Sequence, residues 1–474
     1  MSRLNIGTTH VQHCLAKIPP IILAAIPHGG RNDGAEQLLS WHNKLSNMLA
    51  EYNCFPISGA VDGTETERKL QRLIEGTNAV TCHPIAANDP HASFELRTAL
   101  VNNHPFANVQ DPKHGAKTSQ NQLFSGARII SLGQHVLLYS QLVEIANEPG
   151  GPLMIRDVEH LDHQDDCAAA RLLSSAVLKH IAERHRDWVG LAIYLFVVGG
   201  LFEAWQNRTI GHDERLRLVL RARYFLHYWR EHIIHHPFHT VAINFISRES
   251  FDILTIICES YIKLLRIYRD VHPGHPFVPW LHSTEPNEHL FGVARTIKTD
   301  FTYLNFIHLV PKIGSLLLGA FGESMDQAKA NATTSRYHHS YYNVKNINVK
   351  ALLTIPGDKF INSSASASYL EAAQLLEACG IYRPGVVDHR VTPPPSCESA
   401  IEISTSDLEH LVNEEVPVEV FKQSALLGML RDLENNDPSG FNKIIGSHST
   451  QESQTLQKLS FSEIGQSLGS LQEM

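Results

Sequence analysis

The chain has 474 residues, 43% hydrophobic, 19% charged and 8% aromatic, enough for about two or three domains and too apolar for global disorder. Net charge is −9, but residues 401–474 hold 12 acidic and 4 basic side chains, so that segment carries −8 and the remaining 400 residues −1. A near-neutral body excludes any argument for nucleic-acid binding from charge alone.

The first predicted element is a short apolar run, Ile21 to Ile26, closed by Pro27 and Gly29-Gly30, which reads as a buried strand. Leu38, Trp41, His42, Leu45 and Leu49 then recur at helical spacing. A second strand is expected over 54–61, ending in Asp62-Gly63, and Thr64-Glu65-Thr66-Glu67 is a capping box that opens a helix through Leu70, Leu73 and Ile74. Strand, helix, strand, turn, helix is the grammar of an α/β sheet, in which a polar residue at a strand's carboxyl end is where function tends to sit. Asp62 is in that place. Residues 112–270 are expected to be almost wholly helical, with long apolar periods over 161–181, 188–206, 214–234 and 250–268, and this stretch reads as a separate helical body. A further helix is expected over 289–297, entered through Ser283 or Thr284 as N-cap with Pro286 in the first turn. Beyond 335 the pattern weakens to a helix over 369–378, a linker around Pro393, Pro394 and Pro395, one more helix within 413–436, and a Ser/Gln-rich disordered end from Ser447. No internal repeat is present.

No apolar run reaches the roughly 18 residues of a membrane span; the longest, 188–202, reads as a buried helix. The first residues show no apolar leader pattern. Seven cysteines without paired spacing argue against a disulfide framework or a zinc ribbon and fit a reduced, intracellular setting. Histidine is the outlier, with 29 residues.

Three segments carry candidate chemistry: Val61 to Lys69, Asp111 to Asn121, and Thr284 to Arg295. Alone, each has an ordinary structural reading: a turn, a capped helix start, and a charged helix face bearing Glu285, Glu288 and Arg295. Together they place an Asp at a strand end and a Glu on a late helix, which can meet across a sheet. Carboxylates held so bind hard divalent cations, Mg²⁺ or Mn²⁺, for phosphoryl transfer.

In this order the segments resemble the P-element/THAP-type family of cut-and-paste DNA transposases, relatives of the hAT group, and more closely the transposase-derived families of mushroom-forming fungi. The family pattern is an Asp-Gly strand end, an Asp-x-x-His-x-x-Lys-x-x-Arg-Asn segment, a Leu-Phe-Asp-x-x-Asn-Ser-Arg-like segment and a (Asp/Glu)-x-x-Glu-x-x-Phe-(Gly/Ser)-x-x-Arg helix. Here these match Asp62-Gly63; Asp111, His114, Lys117 and Asn121; Leu201 to Arg208; and Glu285 to Arg295. The resemblance covers about residues 20–310, and the last motif is the most specific.

It implies an α/β plus all-α protein: a partial ribonuclease-H-like core interrupted by a large helical insertion. The core would occupy 1–111 and return at 279–335, the insertion 112–278, an extension and linker 336–400, and an acidic tail 401–474. Asp62 would match the second catalytic aspartate and Glu288 the catalytic glutamate, both holding Mg²⁺ or Mn²⁺. Some relatives bind GTP in the insertion, and Asn207 and Glu285 fall where they can contribute. The implied partner is double-stranded DNA at transposon ends, with a homo-oligomer as a further partner, no membrane, and a nuclear location.

Two departures matter. Gln120-Asn121 stands where the family has Arg-Asn, and the first catalytic aspartate has no counterpart: before Asp62 the acidic residues are Asp33, expected in a turn, and Glu36 and Glu51, expected on a helix. The chain is expected to begin inside the catalytic fold, without the family's zinc-dependent DNA-binding module, and to be an impaired transposase remnant. A non-catalytic nuclear DNA- or protein-binding factor repurposed from a transposase is the alternative, and a metal enzyme built on His227, His232, His235, His236 and His239 ranks third. Arg215, Arg217, Arg221, Arg223 and Arg230 give the helix over 214–234 a basic surface, read as a solvated face or a phosphate contact. Asp162, Asp165 and Asp166 read as an acidic helix start.

Overall fold

The computed structural model describes residues 5–11, 21–28, 34–159, 165–321 and 347–382. The turn expected at Asp33, Asp162, the linker near Pro393, the helix within 413–436 and the acidic tail lie outside them.

The chain opens with an antiparallel pair, β1 (Asn5–Val11) and β2 (Ile21–His28), whose register shifts between Thr9 and His10. The strand expected over 21–26 is therefore present but is not deeply buried: Ile21 is 52% exposed, because a two-stranded hairpin leaves a face uncovered. Helix α1 (Ala35–Glu51) follows, carrying both Glu36 and Glu51. Strand β3 (Ser58–Val61) is half the expected length; Pro56, which has no N–H to give a ladder, stands just before it. Helix α2 (Glu65–Thr77) starts at the predicted capping box, with Thr64 Oγ1 accepting from Glu67 N and Glu67 Oε2 accepting from Thr64 N at 2.9 Å.

Sequence patterning names no element over 79–110, and there the structure places β4 (Ala79–Ile85), β5 (Phe94–Val101) and β6 (His104–Gln110). The sheet order is β3-β6-β5-β4, with β3 parallel to β6 and the other neighbours antiparallel. Asn102 and Asn103, both with positive φ, make the tight β5–β6 turn.

Helix α3 (Pro112–Phe124) leaves the end of β6. A minimal pair, β7 (Ser131–Leu132) and β8 (His135–Val136), interrupts the expected all-helical stretch. Then come α4 (Tyr139–Asn147), α5 (Ile155–Val158), α6 (Asp166–Leu172), α7 (Ser175–Arg184), α8 (Val189–Gln206), α9 (His212–His235), α10 (Val241–Asn244), α11 (Arg248–Asp270), α12 (Glu285–Ile297) and α13 (Tyr303–Phe321). The single helix expected over 161–181 is two, α6 and α7, and Asp165 caps the first by accepting from Cys167 N at 2.8 Å. Helices Val349–Leu353 and Asp358–Glu377 complete the described chain.

Helix α8 is apolar all round, which marks a central helix. Its 18 residues are long and apolar enough to cross a membrane by composition, yet 83% of them are buried inside the fold. It packs on α9, α9 packs on α11 and on helix Asp358–Glu377, and α11 packs on β6. One core runs through both kinds of structure, from Ile85, Leu96 and Val109 on the sheet through Tyr194, Trp205 and Trp229 to Leu376. A mixed α/β region and a large helical region are thus joined by shared burial, where the sequence suggested a separate helical body.

Two of the α9 arginines, Arg215 and Arg221, correct the surface reading. Arg215 is fully buried and donates to the carbonyls of Ala204 and Asn207 at the end of α8. Arg221 pairs with Glu371 at 2.8 Å and lies 4.0 Å from the Phe196 ring centre. Arg223 pairs with Glu259 at 3.2 Å and covers Phe94. Arg217 and Arg230 lie over Phe360 and Phe251. Arg215 and Arg221 are buried because acceptors and an aromatic face distant in sequence receive them; Arg223 and Arg230 are half-buried, and Arg217 stays on the solvated face. Gly200 makes room for one: a Cβ there would stand 2.7 Å from Arg221 Nη2.

Candidate functional site

The parallel pairing of β3 with β6 sets two carboxylates side by side. Val61 is opposite Gln110, and Asp111 N donates to Val61 O at 2.9 Å, so Asp62 and Asp111 both stand at strand carboxyl ends. After Asp62 the chain turns at Gly63, φ +95°, where a Cβ would lie 2.7 Å from Gln110 Oε1. Glycine is required there on both counts. Glu67 Oε2 also accepts from Gly63 N at 3.1 Å, and Arg68 Nη1 donates to Gly63 O at 2.7 Å. The turn is fixed, and the Asp62 side chain is left 50% exposed.

Asp111 is committed elsewhere. It is buried and caps α3: Oδ1 accepts from Lys113 N at 2.7 Å and His114 N at 3.4 Å, with Pro112 in the first turn. Its Oδ2 accepts from Thr284 N at 3.0 Å and from Thr284 Oγ1. Thr284 is thus the N-cap residue of α12 by position, but its hydroxyl serves Asp111 rather than its own helix.

That link brings α12 onto α3. Lys113 Nζ meets the buried Glu285 carboxylate at 2.7 Å, and His289 Nε2 stands 3.6 Å from the same oxygen. One turn on, Glu288 Oε1 is 3.3 Å from His114 Nε2, which is itself 3.5 Å from Asp62 Oδ1. Asp62 and Glu288, distant in sequence, therefore converge on one imidazole nitrogen, and ligand atoms of Asp62, Asp111 and His114 lie within 4.8 Å of one another. Burial opposes charging of His114, but the Glu288 hydrogen bond, with Asp62 and Asp111 beside it, outweighs that and raises its pKa above the ordinary imidazole value. Lys113 is likewise disfavoured by burial and carried upward by Glu285.

The remaining predicted residues are more dispersed. Lys117, on α3, pairs with Asp166 at 2.8 Å, and Asn121 is half-buried on the same helix. Arg295 is exposed in the last turn of α12. Asn207 ends α8; its amide donates to Glu203 at 2.8 Å and its Oδ1 accepts from Thr209. In the histidine cluster, burial pushes His227 and His232 down to about 4, while the rings of His236 and His239 stack 3.9 Å apart instead of converging on a point. Lys113 lies within the second predicted segment with no partner assigned, and Thr284 reads as a helix N-cap; their links to Glu285 and Asp111 have no signal in the sequence. None of the protein-family models, curated proteins or solved structures compared with the chain matches it.

Proposed function

We propose that this chain is a transposase-derived protein whose Asp62 and Glu288 form a divalent-cation site in a partial ribonuclease-H-like core, with strand cleavage impaired. The observation that carries the reading is the convergence of these two carboxylates on His114 Nε2. The parallel β3–β6 pair supports it, since ligands in such sheets gather at strand carboxyl ends.

The donors fit one hard cation. Asp62 and Glu288 offer carboxylate oxygens open to solvent, and Mg²⁺ is commonly held by one or two carboxylates with water completing the shell; Mn²⁺ takes the same oxygen ligands. When bound, such an ion activates an attacking oxygen or stabilises a leaving one. The chain's own part is to hold the two carboxylates in register: Thr284 and Lys113 lock α12 to α3, and the Gly63 turn fixes Asp62. His114 holds a proton between them and must yield Glu288 to the cation.

Among the described residues, the site has no third carboxylate free to join it. Both oxygens of Asp111 are engaged, and neither β1 nor β2 carries an acidic residue. This favours impairment, and it is also the observation behind the second reading, a non-catalytic nuclear DNA- or protein-binding factor. GTP does not fit the residues suggested for it: the Asn207 amide and the Glu285 carboxylate are both engaged within the chain. Arg215 and Arg221 of α9 are buried and contribute nothing to a DNA surface.

The test is Mn²⁺ binding to the purified chain, followed by electron paramagnetic resonance, with plasmid nicking measured in parallel. Asp62→Asn and Glu288→Gln should each weaken Mn²⁺ by at least about tenfold, and nicking should stay near background. Unchanged Mn²⁺ affinity in both folded variants would remove the site. Nicking by the wild type that Glu288→Gln abolishes would overturn the impairment.

A further inference from the structure

A second group of converging ligands lies in the helical region, independent of the carboxylate pair. Glu148 follows α4 as its C-cap residue, His180 is in the second half of α7, and His185 is the C-cap residue of α7. His180 Nε2 is 2.8 Å from Glu148 Oε2, and His185 Nε2 is 2.5 Å from Glu148 Oε1. All three ligand atoms lie within 4.8 Å of one another. The side chains are 9%, 11% and 19% exposed for His180, His185 and Glu148, so the cluster is screened from bulk water but reachable.

Three features separate this group from an ordinary ion pair. First, His185 Nε2 is buried and meets Glu148 Oε1 off the line of a regular hydrogen bond, so the contact is close without being well aligned. Second, the ring is held from behind, stacked on Trp188 with centres 3.8 Å apart and planes 11° from parallel. Third, its other nitrogen, Nδ1, stands 3.9 Å from Glu144 Oε1, beyond hydrogen-bond distance but with a carboxylate on the side from which metal-ligating histidines are oriented. Ligands about 2.0 Å from a tetrahedral ion stand about 3.3 Å apart, which this set reaches by sub-ångström to ångström adjustments. Arg184, 3.4 Å from Glu148 and 55% exposed, is a cation in the way, and its long exposed side chain can swing out to solvent.

We propose that Glu148, His180 and His185 form a zinc-class divalent metal site of two imidazoles and one carboxylate, with a further coordination position open. Nitrogen donors select Zn²⁺ or Co²⁺ over Mg²⁺, so the site is chemically distinct from the Asp62–Glu288 pair. It clamps the end of α4 to the end of α7.

The experiment titrates the full chain with Co²⁺, reading the visible absorption of low-symmetry Co²⁺, and then displaces it with Zn²⁺. One tightly bound Co²⁺, released by one Zn²⁺, is expected. His185→Ala and Glu148→Gln should weaken it by at least about tenfold, while Asp62→Asn and His236→Ala leave it unchanged, which separates this site from the carboxylate pair and from the other histidines. Circular dichroism checks folding, and Glu148→Gln preserves side-chain size should the alanine variant unfold. No Co²⁺ band in the wild type, or an unchanged band in folded Glu148→Gln, would overturn the proposal and leave a histidine–glutamate network only.

Discussion

The helical interior and the seam between sheet and helix α12 treat the same residue types in opposite ways. In the interior, His212 is fully buried between Tyr261 OH at 2.8 Å and the Leu352 carbonyl at 3.1 Å, stacked on Phe277. His282 bridges Ser58 Oγ at 2.7 Å and Tyr268 OH at 3.2 Å. Burial pushes both down to about 4, with Arg215 adding to the effect at His212. At the seam, His114 sits among Asp62, Asp111 and Glu288 and moves the other way. The buried arginines of α9 and the carboxylates of the seam differ likewise: Arg215 is consumed by carbonyls and Arg221 by Glu371 and the Phe196 ring, whereas Asp62 is held in place by its backbone and is left half exposed. A charged group is a functional candidate when the fold positions it without satisfying it.

The largest consequence belongs to the interior. A histidine whose folded pKa is depressed is neutral in the fold, so the unfolded chain takes up protons first as pH falls below the ordinary value of about 6.5. Stability is then full above about pH 6.5 and falls steadily toward the folded value of about 4. Between about pH 6.5 and 5, before carboxylates titrate, His212 and His282 should each remove on the order of 2 kcal/mol. Urea unfolding across that interval reads it directly. A stability flat from pH 6.5 to 5 would mean that the interior is not as dry around these rings as their packing implies.

Asp111 tests whether the seam is held from within. Asp111→Ala removes the α3 cap, about 1 kcal/mol, and strands the buried Thr284 N–H, a further 1–3 kcal/mol or so. A total of about 2–4 kcal/mol is expected, together with weaker Mn²⁺ binding, because α12 then loses its tie to α3 and Glu288 its register with His114. Asp111→Asn should fall between: the amide oxygen can still cap α3, but its NH₂ then faces the Thr284 N–H, donor against donor. Equal stability in Asp111→Ala and wild type would show that the Lys113–Glu285 pair alone aligns the helices.

How far this was readable in the sequence depended on range. The Asp62-Gly63 turn, the Thr64–Glu67 capping box and the apolar α8 are local patterns, and the structure reproduces them. The strands over 79–110 were hidden: β4 carries His83 and Pro84 mid-strand, β5 alternates only over Glu95 to Thr98, and the Asn102-Asn103 turn lacks the usual glycine. Arg215 and Arg221 looked exposed because nothing local shows that Ala204 O, Asn207 O and Glu371 would receive them. The Asp111–Thr284 link and the joining of Glu148 to His180 and His185 are contacts between residues distant in sequence. Periodicity gives the face of a helix, but partner identity is a property of the folded chain.

The smallest expected effect is the one that most directly contrasts the two regions. His114 has a raised folded pKa, so its contact with Glu288 and Asp62 contributes fully below the unfolded value of about 6.5 and is lost as pH rises through the higher folded value. In chelator, the stability difference between wild type and His114→Gln should therefore be greatest near pH 6 and shrink above neutrality, opposite in sign to the dependence set by the interior histidines. Its size is at most about 1 kcal/mol, since Asp62 is half exposed and water screens the pair. A difference that grows with pH would place a neutral imidazole at the seam, and the two carboxylates would then repel across it with no proton between them.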